Sequence, residues 1–351
     1  MPLLLDTKPA DAAAVELRSR NCIEIGLVNN MPDAALEATE RQFVELIRAA
    51  TTDSVVRLRL YSLPDVPRGE RGRQEIAARY RDVSELWNSH LDGLVVTGTE
   101  PRAADLKDEP YWPTLAKLVE WARDNTTSAI WSCLAAHAVV LHIDGIERRP
   151  LAQKQFGIFD CKVTQAHPLT KGAGPRLRVP HSRCNDLPEA ALASAGYRLL
   201  TRSAAAGVDA FTREERSSQF VFFQGHPEYE GDTLLREYRR DVGRFLRGER
   251  DNYPAAPEGY FDDSAAAAAD DFRARAQDDR REGMLADFPM RVLEAGIEGA
   301  WYRSAVRIYQ NWLHDLKGRI AQPRQVSAAG QRSRQGVWPS VGMRPAADRA
   351  R

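Results

Sequence analysis

A cysteine that follows a predicted strand is the first residue of this sequence whose position favours catalysis. An apolar run passes directly into a helical pattern in the segment Ile130-Trp131-Ser132-Cys133-Leu134-Ala135-Ala136-His137. Such a strand-to-helix turn lifts a side chain above the sheet edge, and small following residues allow the turn to be tight. Free amides at the helix N-terminus favour negative charge on the sulfur and on an oxyanion. Cys133 is therefore a candidate nucleophile, although a lone cysteine is more often a small buried residue of a core helix.

A histidine and a glutamate follow a second apolar run. The strand-like residues Val221-Phe222-Phe223 lead into Gln224-Gly225-His226-Pro227-Glu228. A cysteine nucleophile needs an imidazole to take its proton, and the imidazole needs a carboxylate to hold one tautomer. His226 and Glu228 are two residues apart, so both can project on the same side of extended backbone. His-Pro-Glu alone is typical of a surface turn, but together with Cys133 it indicates a Cys-His-Glu triad.

The elements that must position these residues alternate between strands and helices from residue 22 to residue 142. Apolar runs and period-two alternation predict strands, whereas a 3.6-residue period predicts helices. Strands are expected at 23–28, 55–61, 93–98 and 128–132, and helices at 35–49, 111–122 and 134–142. Short cycles of this kind indicate an α/β fold with a doubly wound, mainly parallel sheet flanked by helices. Functional side chains of such sheets gather at the carboxyl ends of the strands.

The second half of the chain has a different pattern. Between residues 150 and 225, short apolar runs such as 155–159 and 219–223 predict further strands, some of them antiparallel. Helices are predicted at 232–248, at about 264–283 and at about 289–317. The last thirty residues carry six arginines, one aspartate and almost no apolar periodicity, which predicts a disordered basic tail.

The composition excludes several classes of protein. The 351 residues include 49 basic and 49 acidic side chains, and zero net charge gives no electrostatic reason to expect a nucleic acid or an anionic membrane as partner. No run approaches the roughly 18 apolar residues of a spanning helix, and the N-terminus lacks the basic region of a secretory signal. The four cysteines form no Cys-x-x-Cys pair, which argues against a disulfide scaffold or a zinc ribbon and indicates free thiols in a reducing cytoplasm. No histidine spacing suggests a metal site.

Many ordered motifs besides the triad resemble one known family. The sequence is similar to the homoserine O-acyltransferases (homoserine trans-succinylases), which belong to the class I glutamine amidotransferase-like superfamily. The resemblance runs from about residue 23 to residue 260, and the helices beyond residue 264 are expected to have little counterpart. The matching pieces are Asn30-Met31-Pro32, Glu40-Arg41-Gln42-Phe43, Asp92-Gly93-Leu94-Val95-Val96-Thr97-Gly98, Tyr111-Trp112, Lys154, Phe156-Gly157, His167-Pro168-Leu169, Pro180-His181-Ser182-Arg183, Gly225-His226-Pro227-Glu228-Tyr229 and Glu237-Tyr238-Arg239-Arg240-Asp241.

The resemblance divides the chain into four parts. They are an N-terminal extension (1–21), a glutamine amidotransferase-like acyltransferase domain (22–263), a helical extension (264–321) and the basic tail (322–351). The helical extension would cover the site or form a subunit contact, which leaves a homodimer open.

The resemblance implies a catalytic role for each position of the triad. Cys133 would be acylated by an acyl-CoA, with His226 as general base and Glu228 as the carboxylate that orients it. The amide of Leu134 and one near Gly98 would stabilise the oxyanion. Neither a metal nor a redox cofactor is implied.

The resemblance also places three polar residues in the substrate site. They are Lys154, Ser182 and Arg240, which from the sequence alone would pass for surface or turn residues. Arg240 would bind the α-carboxylate of the acceptor, since a planar guanidinium suits a bidentate carboxylate.

The loop after residue 96 departs from the family pattern. Relatives commonly read Thr-Gly-Ala-Pro where this chain reads Thr97-Gly98-Thr99-Glu100-Pro101-Arg102, and they have Cys-Trp where this chain has Cys133-Leu134. In the family this loop selects the acyl group, because relatives with glutamate there use acetyl-CoA and those with glycine use succinyl-CoA. Arg102 occupies the selecting position by alignment and could pair with the distal carboxylate of a succinyl group. We therefore expect succinyl-CoA as donor, although Glu100 is only two residues away and would repel that carboxylate.

Other functions stay open at this stage. The donor could be acetyl-CoA, and the acceptor could be L-serine instead of L-homoserine, because one methylene changes binding by only about 1–3 kcal/mol. The same triad could serve a glutaminase, which would need a synthetase partner and would leave Lys154, Ser182 and Arg240 unexplained. A non-catalytic relative that only binds a metabolite or a protein would have no need of an intact triad.

Overall fold

The computed structural model describes residues 3–7, 22–299 and 301–321. The predicted tail (322–351) and all but residues 3–7 of the predicted N-terminal extension (1–21) lie outside the described residues. Within these described ranges, no helix is both long enough and apolar enough to cross a membrane.

The described residues form twelve strands and ten α-helices. The strands are β1 (Leu3–Asp6), β2 (Cys22–Val28), β3 (Val55–Tyr61), β4 (Leu91–Val96), β5 (Thr126–Ser132), β6 (Arg149–Val163), β7 (Arg176–Asp186), β8 (Arg198–Leu199), β9 (Thr201–Ser203), β10 (Gly207–Val208), β11 (Ala210–Glu215) and β12 (Ser218–Phe223). The helices are α1 (Asp33–Ala50), α2 (Glu70–Arg79), α3 (Val83–Trp87), α4 (Trp112–Asn125), α5 (Leu134–Asp144), α6 (Glu189–Ser194), α7 (Thr233–Leu246), α8 (Asp263–Asp278), α9 (Met290–Ala295) and α10 (Tyr302–Ala321).

An eight-stranded sheet forms the centre of the fold. Its strand order is β1-β3-β2-β4-β5-β12-β11-β8, and the first six strands are parallel while β11 and β8 add antiparallel pairs. The middle strands are apolar almost without interruption because both faces of the sheet are covered, as Ile25, Leu27 and Val95 show by being fully buried. The expected α/β class with a mainly parallel sheet flanked by helices is confirmed.

Helices cover the two faces of this sheet with separate apolar clusters. On one face, α4 contributes Leu118 and α5 contributes Val139 to a cluster around β5 and β12. On the other face, α1 contributes Phe43 and α10 contributes Trp312. The spacing of buried residues along α1 and α4 follows the helical period from which both helices were predicted.

A second sheet carries residues of the predicted substrate site. Its order is β10-β9-β6-β7, and all of its pairs are antiparallel, which confirms the antiparallel strands predicted between residues 150 and 225. Beside it, α7, α8 and α9 pack around a third apolar cluster that includes Leu235, Phe272 and Leu293.

The single helix predicted at 289–317 is wrong, because the chain forms two helices there. Helix α9 ends at Ala295 and α10 begins at Tyr302. The backbone of Gly296 lies so close to the start of α8 that a Cβ atom at this position would be 2.4 Å from the Cβ atom of Ala265. Only glycine fits such an approach, and the chain turns there before α10 runs back across the sheet.

Candidate active site

Cys133 occupies a sharp turn between β5 and α5. Its backbone has φ 52° and ψ −113°, a left-handed φ that a residue with a side chain rarely adopts. The Cys133 amide donates to the carbonyl of Phe223 on the neighbouring strand at 2.7 Å. This strained strand-to-helix turn is the geometry of a nucleophile elbow, in which the side chain is presented at the sheet edge.

The register of two parallel strands brings the predicted triad together. Ser132, the last residue of β5, pairs with Phe223, the last residue of β12. Cys133 follows Ser132 directly, and His226 follows Phe223 after two residues, so both lie beyond the carboxyl ends of adjacent strands. The His226 amide donates to the Pro180 carbonyl at 2.8 Å, which fixes the chain after β12 against β7.

His226 is buried between Glu228 and Cys133. Its Nδ1 donates to Glu228 Oε1 at 2.8 Å, and the Cys133 side chain lies within hydrogen-bond reach of the same ring. Burial opposes a charge on His226, yet Cys133 and Glu228 outweigh burial and hold the pKa of His226 well above its ordinary value. The arrangement therefore favours an imidazolium beside Cys133, with Nε2 left to face the sulfur.

The two candidate oxyanion donors lie against each other beside Cys133. A Cβ atom placed on Gly98 would be 2.8 Å from Leu134 Cβ and 2.9 Å from the Leu134 amide nitrogen. Gly98 follows β4, the strand that pairs with β5, and Leu134 is the first residue of α5. The structure thus brings the backbone after β4 to the N-terminus of α5, where an oxyanion would find free amides.

The three predicted substrate-site residues converge on two acids of α7. Ser182 Oγ donates to Glu237 Oε2 at 2.6 Å, and Lys154 Nζ lies 3.5 Å from the same oxygen and 3.4 Å from Asp241 Oδ2. Arg240 Nε donates to Asp241 Oδ1 at 2.9 Å. Burial alone would raise the pKa of Asp241, but Lys154 and Arg240 hold this pKa below its ordinary value. Glu237 and Asp241 belong to a quoted motif, but no role was predicted for either of them.

Tyr229 connects this group to the triad. Its ring stacks on the imidazole of His226, with centroids 4.2 Å apart, and its hydroxyl donates to Glu237 Oε1 at 2.7 Å. The substrate-site residues and the triad therefore form one continuous polar network.

Arg102 is not brought to this network. Its backbone amide and that of Ala103 both donate to the buried carboxylate of Glu109, at 2.7 Å for Ala103. Its guanidinium is exposed and makes no hydrogen bond or ion pair with any residue that the structure describes. Glu100, the other charged residue of the loop, lies close enough to Arg240 to raise the pKa of that arginine together with Asp241 and Glu237, against the effect of burial.

Comparisons with known proteins show the family of this chain. Residues 8–318 match the family model described as homoserine O-succinyltransferase. A homoserine O-succinyltransferase from Rhodopseudomonas palustris is 51% identical over 294 residues, which cover 84% of this chain and 88% of the relative. One from Methylorubrum extorquens is 50% identical over 299 residues, or 85% of this chain and 88% of the relative. This chain belongs to the homoserine O-succinyltransferase family.

Membership of the homoserine O-succinyltransferase family confirms the resemblance drawn from the ordered motifs and makes the chain a transferase. The family name implies methionine biosynthesis. The match continues to residue 318, so the expectation that the helices beyond residue 264 have little counterpart in the family is wrong. Among solved structures, a glutamine amidotransferase from Methylobacillus flagellatus is similar with a TM-score of 0.47 and 15% identity over 84% of this chain and 94% of that chain.

Proposed function

We propose that this member of the homoserine O-succinyltransferase family transfers a succinyl group from succinyl-CoA to the hydroxyl of L-homoserine through a thioester on Cys133. The observation that carries the proposal is the buried His226, which is held by Glu228 on one nitrogen and faces Cys133 with its ring. The relatives that are named homoserine O-succinyltransferase support succinyl-CoA as the donor and L-homoserine as the acceptor.

The first half-reaction acylates the enzyme. The thiolate of Cys133 attacks the thioester carbonyl, and the amides of Leu134 and the Gly98 turn stabilise the resulting oxyanion. When the tetrahedral adduct collapses, the bond to the sulfur of CoA breaks and that sulfur takes the proton of His226. The raised pKa of His226 favours a protonated imidazole before the attack, so the proton is available to the sulfur of CoA.

The second half-reaction transfers the acyl group to the acceptor. Neutral His226 takes the proton of the homoserine hydroxyl, whose oxygen attacks the carbonyl carbon of the Cys133 thioester. Collapse of the second adduct breaks the carbon–sulfur bond and restores the thiolate–imidazolium pair. Glu228 keeps one tautomer and one ring orientation throughout, which is the task of the third member of a triad.

The substrate-site residues and the two acids of α7 would together bind the acceptor. Arg240 has five N–H donors and uses some of them on Asp241, so others stay available for the α-carboxylate of homoserine. Lys154 and Ser182 hold Glu237 in place, and its carboxylate is suited to the acceptor's ammonium group. Because Tyr229 contacts both Glu237 and His226, a movement of Glu237 on substrate binding would also move the ring of His226.

The test is a thiol-release assay in which each donor is combined with each acceptor. Succinyl-CoA and acetyl-CoA are each supplied with L-homoserine, L-serine or no acceptor, and ammonia release from glutamine is measured in parallel. Homoserine-dependent CoA release from succinyl-CoA, lost in Cys133→Ala, is the expected result. A preference for acetyl-CoA would contradict the proposed donor, and a preference for serine would contradict the proposed acceptor. Ammonia release from glutamine would indicate a glutaminase. Wild-type rates in Cys133→Ala would show that Cys133 is not the nucleophile.

The proposed reaction needs neither a metal ion nor a redox cofactor, since acyl-CoA and homoserine supply every atom that is transferred. We further propose that the enzyme works in the cytoplasm, where Cys133 stays reduced. A homodimer remains a prediction, and sedimentation velocity over a tenfold range of protein concentration tests it.

A further inference from the structure

An arginine without a hydrogen bond or ion pair to the described residues lies within electrostatic range of the candidate nucleophile. Arg148 follows α5 and directly precedes β6, and its side chain is half-buried. It makes no hydrogen bond and no ion pair with any residue in the described part of the chain, and its field reaches Cys133. A guanidinium that is partly removed from water without a hydrogen-bond acceptor is costly, so this one is suited to bind an anionic ligand.

Two buried oxygen atoms next to Arg148 also lack partners. Glu109 is 2% exposed and uses Oε1 for the loop amides of Arg102 and Ala103, while its Oε2 is buried without a hydrogen bond. The hydroxyl of Tyr111 is also buried without a hydrogen bond to any described residue. Both residues interact electrostatically with Arg148, as do Cys133 and Asp105, so the unpaired groups share one region of the structure with the candidate nucleophile. Burial lowers the pKa of Arg148 although Tyr111, Glu109 and Cys133 oppose this.

Three other arginines near the site are already paired with acids. Arg240 contacts Asp241, and the buried Arg183 contacts Asp186 at 2.9 Å. Arg149, the neighbour of Arg148 in sequence, is exposed and lies 3.8 Å from Asp186. The guanidinium of Arg102 is exposed, and its loop is held by Glu109 through the backbone.

We propose that Arg148 binds the distal carboxylate of the succinyl group and so selects a dicarboxylic acyl donor, an inference that rests on the proposed function. Two methylene groups separate that carboxylate from the carbon bonded to the Cys133 sulfur, so the cation must lie close to the nucleophile. Arg148 has enough N–H donors to face Glu109 and a ligand carboxylate together. The hydroxyl of Tyr111 supplies one more donor to the same group.

The test compares two donors that differ only at the end of the acyl chain. Butyryl-CoA has the four-carbon chain of succinyl-CoA with a methyl group in place of the carboxylate. Arg148→Gln should lower kcat/KM with succinyl-CoA by about 100-fold or more, because one partner of a desolvated charge pair is lost. The same variant should change kcat/KM with butyryl-CoA by less than about threefold and leave KM for homoserine unchanged. Arg148→Lys should retain part of the succinyl-CoA activity, because lysine keeps the positive charge but lacks the planar guanidinium that binds a carboxylate through two N–H groups.

Two further variants separate this role from its alternatives. Arg149→Gln, which removes the adjacent exposed charge, should behave as the wild type with both donors. Equal losses with succinyl-CoA and butyryl-CoA in Arg148→Gln and Arg148→Lys would overturn the proposal, and so would a donor-selective loss in Arg102→Gln but not in Arg148→Gln. A wild-type enzyme that is inert with every acyl-CoA would instead refute the proposed function itself.

Discussion

One hydrogen bond decides which nitrogen of His226 faces the candidate nucleophile. His226 Nδ1–H donates to Glu228 Oε1, so Nε2 is the atom available to Cys133. The second oxygen of Glu228 is buried and has no hydrogen-bond partner among the described residues, which leaves its charge directed at the imidazole. At the scale of single residues, the ionisation of His226 therefore depends on Cys133 and also on Glu228.

Replacement of Glu228 by glutamine should change both the rate and its pH dependence. Glu228 raises the pKa of His226, so in Glu228→Gln the imidazolium loses its proton more readily and the alkaline limb of kcat/KM moves to lower pH. We expect kcat to fall by about 100-fold or more, as for other triads that lose their carboxylate. The measurement is a pH–rate profile with Glu230→Gln as control, since Glu230 is a nearby half-buried carboxylate that pairs with Arg41 instead of His226. A wild-type profile in Glu228→Gln would show that Glu228 does not orient the base.

His137 makes the stability of the fold sensitive to acid. Its ring is buried on α5 and shares a 2.9 Å hydrogen bond with Gln224, and burial lowers its pKa to about 3. Between about 6.5 and 3 the unfolded chain binds a proton that the folded chain refuses, so stability is present at neutral pH and is lost as the pH falls. From pH 7 to pH 5 the loss should be about 2 kcal/mol for this group.

Urea unfolding at several pH values tests this prediction for His137. The wild type should lose about 2 kcal/mol more than His137→Gln between pH 7 and pH 5. The exposed His314 provides the control, since His314→Gln should keep the wild-type slope. Parallel slopes in wild type and His137→Gln would mean that the ring takes up its proton at the same pH in the folded and unfolded chains.

Local sequence signals were sufficient for some site residues and not for others. The elbow at Cys133 and the His226–Glu228 pair were visible because each follows a strand signal within a few residues. Glu237 and Asp241 were not, because acids at this spacing on a helix are typical of a solvated face. Their burial depends on Lys154 and Ser182, which arrive from another sheet and cannot be placed by periodicity.

At the scale of elements, the ends of three adjacent parallel strands assemble the site. Strands β4, β5 and β12 lie side by side, and the chain leaves them at Gly98, Cys133 and His226 respectively. The close approach of Gly98 to Leu134 depends on the absence of a side chain at position 98. The alternation of strands and helices predicted this sheet, but the break between α9 and α10 was missed because its cause is a contact of Gly296 with α8.

Alanine at position 98 should disturb the oxyanion hole more than the fold. Its methyl group would press on the amide and the Cβ of Leu134, so the N-terminus of α5 must shift by a few tenths of an ångström. We expect Gly98→Ala to lower kcat by about 100-fold, the usual cost of one oxyanion donor, with a small change in the unfolding midpoint. Gly231→Ala is the matched control, since nothing lies within 4 Å of a Cβ atom there. An unchanged kcat in Gly98→Ala would show that this loop does not contribute to the proposed oxyanion hole.

At the scale of the whole molecule, the last described helix is part of the central domain's packing. The Trp312 ring lies over Gly93 of β4, where a Cβ atom would be 2.9 Å from it, and its Nε1 donates to Ser128 Oγ of β5 at 3.0 Å. Residue Tyr309 of the same helix is fully buried, and Glu228 of the triad contributes to raising its pKa after burial. The division into an acyltransferase domain (22–263) and a helical extension (264–321) followed from the extent of the resemblance, which does not reveal that α10 covers one face of the sheet.

Removal of the Trp312 side chain should therefore destabilise the entire protein. Trp312→Ala leaves a cavity over β4 and β5, and we expect a loss of about 3–5 kcal/mol in the free energy of unfolding. Circular dichroism and activity should disappear together in a single urea transition, because α10 and the sheet share one core. Ile320→Ala on the exposed side of the same helix should cost less than about 0.5 kcal/mol. If Trp312→Ala instead unfolded in two transitions, with activity retained after the first, α10 would be a separate unit and the sheet would be stable without it.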